Sequence, residues 1–182
     1  MIRSIGILEL TSIARGIECA DTMVKTADIE LVMSLTVCPG KYIILIAGDV
    51  SAVSASIDAG KAKAEEFLAG DFVLASIHED LIPAINRAVS VAGVNAVGVV
   101  ESFSIAASIE GADAAAKAAD VTLIEIRPGV GIGGKSFFVL TGDVSAVQAA
   151  VDAGVSVVEK YGALVTCAVI PNPSEEVFDN LL

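Results

Sequence analysis

The chain is written twice. "GDVSAV" at Gly48 to Val53 returns at Gly142 to Val147, 94 residues on (142 − 48), and "DAG" follows each copy, at Asp58 to Gly60 and Asp152 to Gly154. Upstream, "IGILE" (Ile5 to Glu9) matches "VGVVE" (Val97 to Glu101), and "ADTMVKTAD" (Ala20 to Asp28) matches "ADAAAKAAD" (Ala112 to Asp120), here 92 residues apart (97 − 5). Two residues are therefore inserted between the blocks of the second copy, and "LTVCPGK" set against "IRPGVGIGGK" places them between Arg127 and Lys135. Self-similarity at a fixed spacing means one supersecondary unit used again. It predicts two domains of one fold, 1–92 and 93–182.

Each half opens on a short alternating strand, Ser4 to Leu10 or Ala96 to Glu101. A helix is predicted next, with an apolar face at Ile13, Ile17, Ala20, Val24 and Ala27, or Ile105, Ile109, Ala112, Ala116 and Ala119. Two strands follow (Ile29 to Leu35 and Tyr42 to Ala47), then a helix capped by Asp49, or Asp143 in the second copy, then a strand near Phe72 to Ile77. The order βαββαβ is the split-βαβ, ferredoxin-like pattern of the α+β class, an antiparallel sheet with helices on one face. A terminal helix, Glu79 to Ala88 or Glu175 to Leu182, is expected to complete each half.

Composition narrows the function classes. With 54% hydrophobic residues the chain can bury a substantial core, yet no apolar run reaches the length of a membrane span. A net charge of −12 without any Lys/Arg cluster argues against nucleic acid and anionic lipid as partners. "MIRSIGILEL" lacks the basic region and cleavage site of a secretory signal, so the cytoplasm is the expected compartment. Three widely separated cysteines, Cys19, Cys38 and Cys167, fit a reducing compartment and not a disulfide framework. So few charges on an Ala/Val-rich chain lead us to expect neighbouring subunits over part of its surface.

"GVGIGGKS", Gly129 to Ser136, spells a P-loop, but a P-loop must open a helix, and Ser136 leads into the strand-like "FFVLTG". Nucleotide binding is rejected on that context. Cys19 and Cys167 read as small core hydrophobes. Cys38 differs, because Pro39 and Gly40 bend the chain at it and Lys41 nearby favours thiolate. The residues alone leave a functional and an incidental thiol equally open. A single thiolate cannot hold an iron–sulfur cluster, which takes about four ligands. Asp21 with Lys25, and Asp113 with Lys117, read as intrahelical ion pairs four residues apart. His78 reads as a solvated loop residue, and nothing in the sequence pairs Glu9 or Glu101 with a catalytic partner. No hydrolase triad or carboxylate dyad is found.

The stretch "IGILELTSIARGIECADTMVKTADIEL", the block "GDVSAV…DAG" and the ending "VIPNP" resemble the shell proteins of bacterial microcompartments over both halves. That resemblance implies a cytoplasmic shell subunit of the tandem kind that is not an enzyme, a homotrimer whose six domains imitate a hexameric disc and tile with neighbouring shell proteins. It implies that Lys25 and Lys117 lie at the disc edge. It implies further that the loop between the second and third strands lines a central pore, here Val37, Cys38, Pro39, Gly40 and Lys41, alternating with Gly129, Val130, Gly131, Ile132, Gly133, Gly134 and Lys135. "LTVCPGK" is most similar to the iron–sulfur tandem members of propanediol-utilising compartments, in which one pore cysteine per subunit binds a [4Fe–4S] cluster on the threefold axis. The implied role is electron transfer or cluster delivery across the shell, with enclosed oxidoreductases as partners. The second half has no loop cysteine, and the family's "IPRPH" ending is replaced by Ile170-Pro171-Asn172-Pro173-Ser174 and Ile77-His78-Glu79-Asp80, which puts edge packing through that arginine in question. Two other readings stand beside this one: a plain metabolite pore in which Cys38 is incidental, and a ferredoxin-like small-molecule sensor.

Overall fold

The computed structural model describes residues 4–89, 91, 95–174 and 176. The chain divides into two units, Met1–Ile77 and His78–Leu182. The first runs β1 (Ser4–Leu10), α1 (Ile13–Thr26), β2 (Ile29–Val37), β3 (Lys41–Gly48), α2 (Val50–Ala64) and β4 (Leu68–Ala75). The second begins with a short helix, α3 (Leu81–Ile85), and repeats the series as β5 (Ala96–Ser102), α4 (Ile105–Ala118), β6 (Val121–Arg127), β7 (Ser136–Gly142), α5 (Val144–Lys160) and β8 (Leu164–Pro171). The sheets are ordered β2-β3-β1-β4 and β6-β7-β5-β8, antiparallel at every pairing, as the βαββαβ reading requires.

The inner strands explain the apolar runs. Ile43 to Ala47 on β3 are fully buried, so this strand reads as continuous hydrophobic sequence, while edge strand β4 alternates between half-buried and exposed. In the first unit Leu8, Leu10, Tyr42, Ile44 and Ile46 of the sheet meet Cys19, Ala20 and Met23 of α1 and Val53 and Ile57 of α2 in one core.

The core face of α1 shares only Ala20 with the predicted one. Gly16, Cys19, Ala20 and Met23 are buried, whereas Ile13, Ile17 and Val24 are exposed. Both sets have helical spacing, and close packing decides between them, since a Cβ on Gly16 would run into the Tyr42 ring. Gly16 lets α1 lie against the sheet. In α4 the predicted face, Ile105, Ile109, Ala112 and Ala116, is buried, together with Ala107, Gly111 and Ala115.

The "DAG" glycines are helix-contact positions. A Cβ on Gly154 of α5 would sit 3.0 Å from the Gly111 carbonyl oxygen of α4, and one on Gly60 of α2 would sit 2.7 Å from Met23 Sδ of α1. Asp49 and Asp143 occupy the predicted N-cap positions, but neither side chain makes the capping hydrogen bond. Ser12 and Ser104, which sequence reasoning passed over, do so by accepting from Arg15 N (3.3 Å) and Ala107 N (3.2 Å).

Two further expectations change. The division falls at Ile77/His78 instead of 92/93, because the segment from His78 onward is held in the second unit, where α3 packs on β6 and His78 N donates to Asp113 Oδ1 at 2.7 Å. The helix expected over Glu79 to Ala88 is accordingly shorter, and its C-terminal counterpart, Glu175 to Leu182, lies outside the described residues apart from Glu176. Cys167 is not a core residue. It sits exposed on β8, an edge strand whose outer side has no neighbour in the sheet.

Candidate pore loops and the Cys38 hairpin

The segment into which the second copy inserts two residues is a hairpin tip in both halves, between β2 and β3 and between β6 and β7. In the first, Val37 pairs with Lys41 at the base and Gly40 N donates to Val37 O at 3.0 Å, closing a four-residue turn in which the Cys38–Pro39 peptide is cis. Gly40 has φ +89°, a left-handed conformation that favours glycine, and a Cβ there would meet nothing within 4 Å. Val37 is buried, Cys38 and Lys41 are half-buried, and Pro39 and Gly40 are exposed. The bend thus holds Cys38 at the outer end of the hairpin.

The second tip is longer and rests on its backbone. Ser136 Oγ donates to Arg127 O at 2.8 Å across its base, and Lys135 N donates to Ile132 O at 3.4 Å. Gly131, Gly133 and Gly134 all have positive φ, and Val130, Gly131 and Gly133 are exposed. Gly129 is required for closeness, since a Cβ there would lie 2.9 Å from the Lys135 carbonyl oxygen. Ser136 enters β7, no helix follows it, and its hydroxyl is engaged with Arg127, so the P-loop spelling has no P-loop geometry.

Each tip is tethered by an ion pair that the sequence did not disclose. Lys41 Nζ bonds Glu9 Oε2 at 3.2 Å, and Lys135 Nζ bonds Glu101 Oε1 at 2.8 Å. The register explains both: Glu9 faces Ile43 and Glu101 faces Phe137, so each lysine, two residues before its carboxylate's partner, points to the same sheet face. The repeated glutamate and the repeated lysine were the available signal. Beneath the second tip, buried Glu125 accepts from Arg127 at 2.8 and 2.9 Å and is ion-paired with Arg87 Nε at 2.9 Å, while Arg127 lies over the Phe137 ring, 5.0 Å from its centroid. The corresponding residue of the first half is Met33, so this anchor is peculiar to the second copy.

The remaining candidates separate by environment. Lys25 and Asp21 form the expected helix pair at 2.7 Å, both exposed; Lys117 pairs with Asp113, which is buried. His78 is half-buried, not fully solvated, and its Nδ1 accepts from Asp80 N at 3.2 Å. Burial pushes the Cys19 thiol above its ordinary pKa, with Arg15 opposing, which keeps it protonated and inert. Among the described residues no three His, Cys, Asp or Glu side chains of one chain come together as a metal site.

A ferredoxin-like unit written twice, with its variable hairpin at the same link in each copy, is the architecture of a tandem shell domain. The BMC domain model matches residues 4–77 and 96–173, and the chain belongs to the bacterial microcompartment shell-protein family, with two BMC domains. Over 182 residues it is 44% identical to the bacterial microcompartment shell protein PduT of Citrobacter freundii, covering 100% of this chain and 99% of that one. The shell protein EutM of Escherichia coli K12 is 42% identical over 86 residues, 46% of this chain and 87% of EutM, which corresponds to one domain. Among solved structures, a microcompartment protein of Desulfitobacterium hafniense superposes with a TM-score of 0.94 at 48% identity, covering 98% of this chain and 99% of that one. The fused permuted shell protein MSM0275 shares the fold at a TM-score of 0.59 and 22% identity, over 86% of this chain and 81% of that one.

Proposed function

We propose that this microcompartment shell subunit assembles as a homotrimer in which Cys38 of each copy meets the other two on the threefold axis and binds an iron–sulfur cluster of the [4Fe–4S] type. The observation that carries the reading is the placement of Cys38, half-buried at the tip of a hairpin whose base is fixed by the Val37–Gly40 turn and the Lys41–Glu9 pair. A thiol so held is reachable from outside its own unit. Among the described residues one chain brings no second and third ligand to it, so the donor set fits a cluster only when copies combine.

The 129–135 tips would alternate with the Cys38 tips around the axis. With no cysteine of their own, they would contribute exposed glycine backbone and Val130 to the pore wall. Three thiolates leave one iron without a cysteine, which makes that position exchangeable. When bound, the cluster supplies one-electron transfer, and the role that follows is passage of electrons, or of the cluster, between the outside of the shell and oxidoreductases within. Lys25 and Lys117, in the last turns of α1 and α4, would serve as edge contacts to neighbouring shell proteins.

The test is iron and sulfide analysis with electron paramagnetic resonance on anaerobically prepared protein, wild type against Cys38→Ser. Iron and sulfide in the wild type and their loss in Cys38→Ser, with assembly retained, are the expected result. Wild type without iron or a cluster signal after reconstitution would leave the plain metabolite pore.

A further inference from the structure

Helices α1 and α4 are one helix written twice, yet they differ in what covers them. Ile13, Ile17 and Val24 on α1 and Leu31 on β2 are 44, 56, 43 and 43% exposed, whereas their counterparts 92 residues on (105 − 13), Ile105, Ile109, Ala116 and Leu123, are 5, 2, 5 and 0% exposed. The Asp21 side chain is 62% exposed and that of its counterpart Asp113 only 5%. A surface closed in the second unit lies open in the first.

The segment from His78 to Ile85 lies on the closed surface. His78 N donates to Asp113 Oδ1 at 2.7 Å, Leu123 N on edge strand β6 donates to Asp80 Oδ2 at 3.4 Å, and α3, with Leu81 and Ile85 buried, packs on α4 and β6. This is the stretch of chain that follows β4. The stretch that follows β8 has the same pattern. Ser76 and Asn172 each stand one residue past the strand with a left-handed backbone, φ +56° and +46°, and aligning them sets "SIHEDLIPAI" over "NPSEEVFDNL". Acid then falls on acid at positions 80 and 176, and the two apolar anchors Leu81 and Ile85 fall on Val177 and Leu181.

We infer that the segment Ser174–Leu181 of one copy docks on the α1–β2 surface of a second copy, as His78–Ile85 docks on α4 and β6. Val177 and Leu181 would cover the stripe of Ile13, Ile17, Val24 and Leu31. Ser174 N would donate to Asp21, and the edge of β2 would be covered as that of β6 is. The contact is head-to-tail, so successive copies add in one direction and a threefold rotation closes the ring. The inference rests on the trimer of the proposed function and adds to it the joint that holds the copies together.

Native mass spectrometry of the full chain at fixed concentration tests it, comparing wild type, Ile17→Glu, Ile17→Leu and Leu181→Glu. Wild type and Ile17→Leu are expected as trimers, and both glutamate variants as monomers with helix and strand content retained by circular dichroism. Ile17 is exposed in the single chain, so its replacement leaves the unit folded. A second readout joins the residues directly: with Cys38→Ser and Cys167→Ser as background, Asp21→Cys plus Ser174→Cys is expected to give disulfide-linked oligomers on a non-reducing gel. A trimeric wild type that the glutamate variants do not weaken and the cysteine pair does not cross-link overturns the docking and leaves the trimer standing. A monomeric wild type overturns both.

Discussion

Replacing Gly154 by alanine tests the helix contact on which the second unit is built. The added Cβ would sit 2.8 Å from Phe138 Cζ and 3.0 Å from the Gly111 carbonyl oxygen. The first neighbour is a fully buried ring and the second is backbone of the facing helix, so neither yields without moving α4 against α5. Overpacking of this kind costs about 1–3 kcal/mol. Alanine recovers about 0.8–1.0 kcal/mol of helix propensity over glycine. The balance is a loss on the order of 1 kcal/mol, or roughly 4 °C in the melting temperature of a domain of this size. Gly60→Ala is the internal control, at the matching residue of the first unit. Its Cβ would meet Met23 Sδ at 2.7 Å and Leu8 Cδ2 at 2.9 Å, ends of flexible side chains, of which the thioether adapts most readily. There the propensity gain and the packing loss nearly cancel, and a change within about 0.5 kcal/mol is expected. Differential scanning calorimetry of the two variants beside wild type reads the contrast. Gly154→Ala melting at or above wild type, or Gly60→Ala melting lower than Gly154→Ala, refutes the claim that backbone proximity sets the requirement for glycine.

Further outcomes follow from particular contacts. Ser12→Ala removes the side-chain acceptor that caps α1 and is expected to lower stability by about 1 kcal/mol in urea unfolding, whereas Asp49→Ala, which removes no capping hydrogen bond, should fall well short of that. Tyr161 donates to Glu110, and that hydrogen bond, then burial, pushes its pKa from 10.0 up to about 12. Because the folded value is the higher one, the stabilisation is fully present below pH 10 and drains away as pH rises through about 12. Alkaline ultraviolet titration should show this late ionisation in wild type and its return toward the ordinary value in Glu110→Gln; an ordinary midpoint in wild type would contradict the bond. Glu101→Gln frees Lys135 at the base of the second tip, but the pair is partly solvated, so global stability should change by less than about 1 kcal/mol while amide exchange in 129–135 accelerates.

The repeat made most of the architecture readable. The βαββαβ order and the placement of Cys38 and Gly129–Lys135 on equivalent hairpin tips agree with the structure, because each depends on local periodicity and on comparing one half with the other. The alternation expected of the opening strands does not hold, since β1 and β5 lie inside their sheets and are buried along nearly their whole length. The reading failed where two local patterns were equally good. On α1 both Ile13/Ile17/Val24 and Gly16/Cys19/Met23 repeat at helical spacing, and only the approach of the Tyr42 ring selects the second. Cys167 sits in apolar sequence on an edge strand, so hydrophobic context misreported its burial. The tethers Glu9–Lys41 and Glu101–Lys135 join residues more than thirty positions apart, and a register is needed to see them.

By itself the sequence determined that one fold occurs twice, that the hairpin between the second and third strands differs in length between the copies, and that one of the two tips carries a cysteine. These are properties of order and spacing along the chain. Only the tertiary structure decided which face of α1 is covered, which charges remote in sequence meet, and to which unit the segment after Ile77 belongs. Those outcomes depend on distances between atoms remote in sequence. A glycine against a ring, or a backbone N–H against a carboxylate, selects among arrangements that the pattern of residues leaves equally permitted.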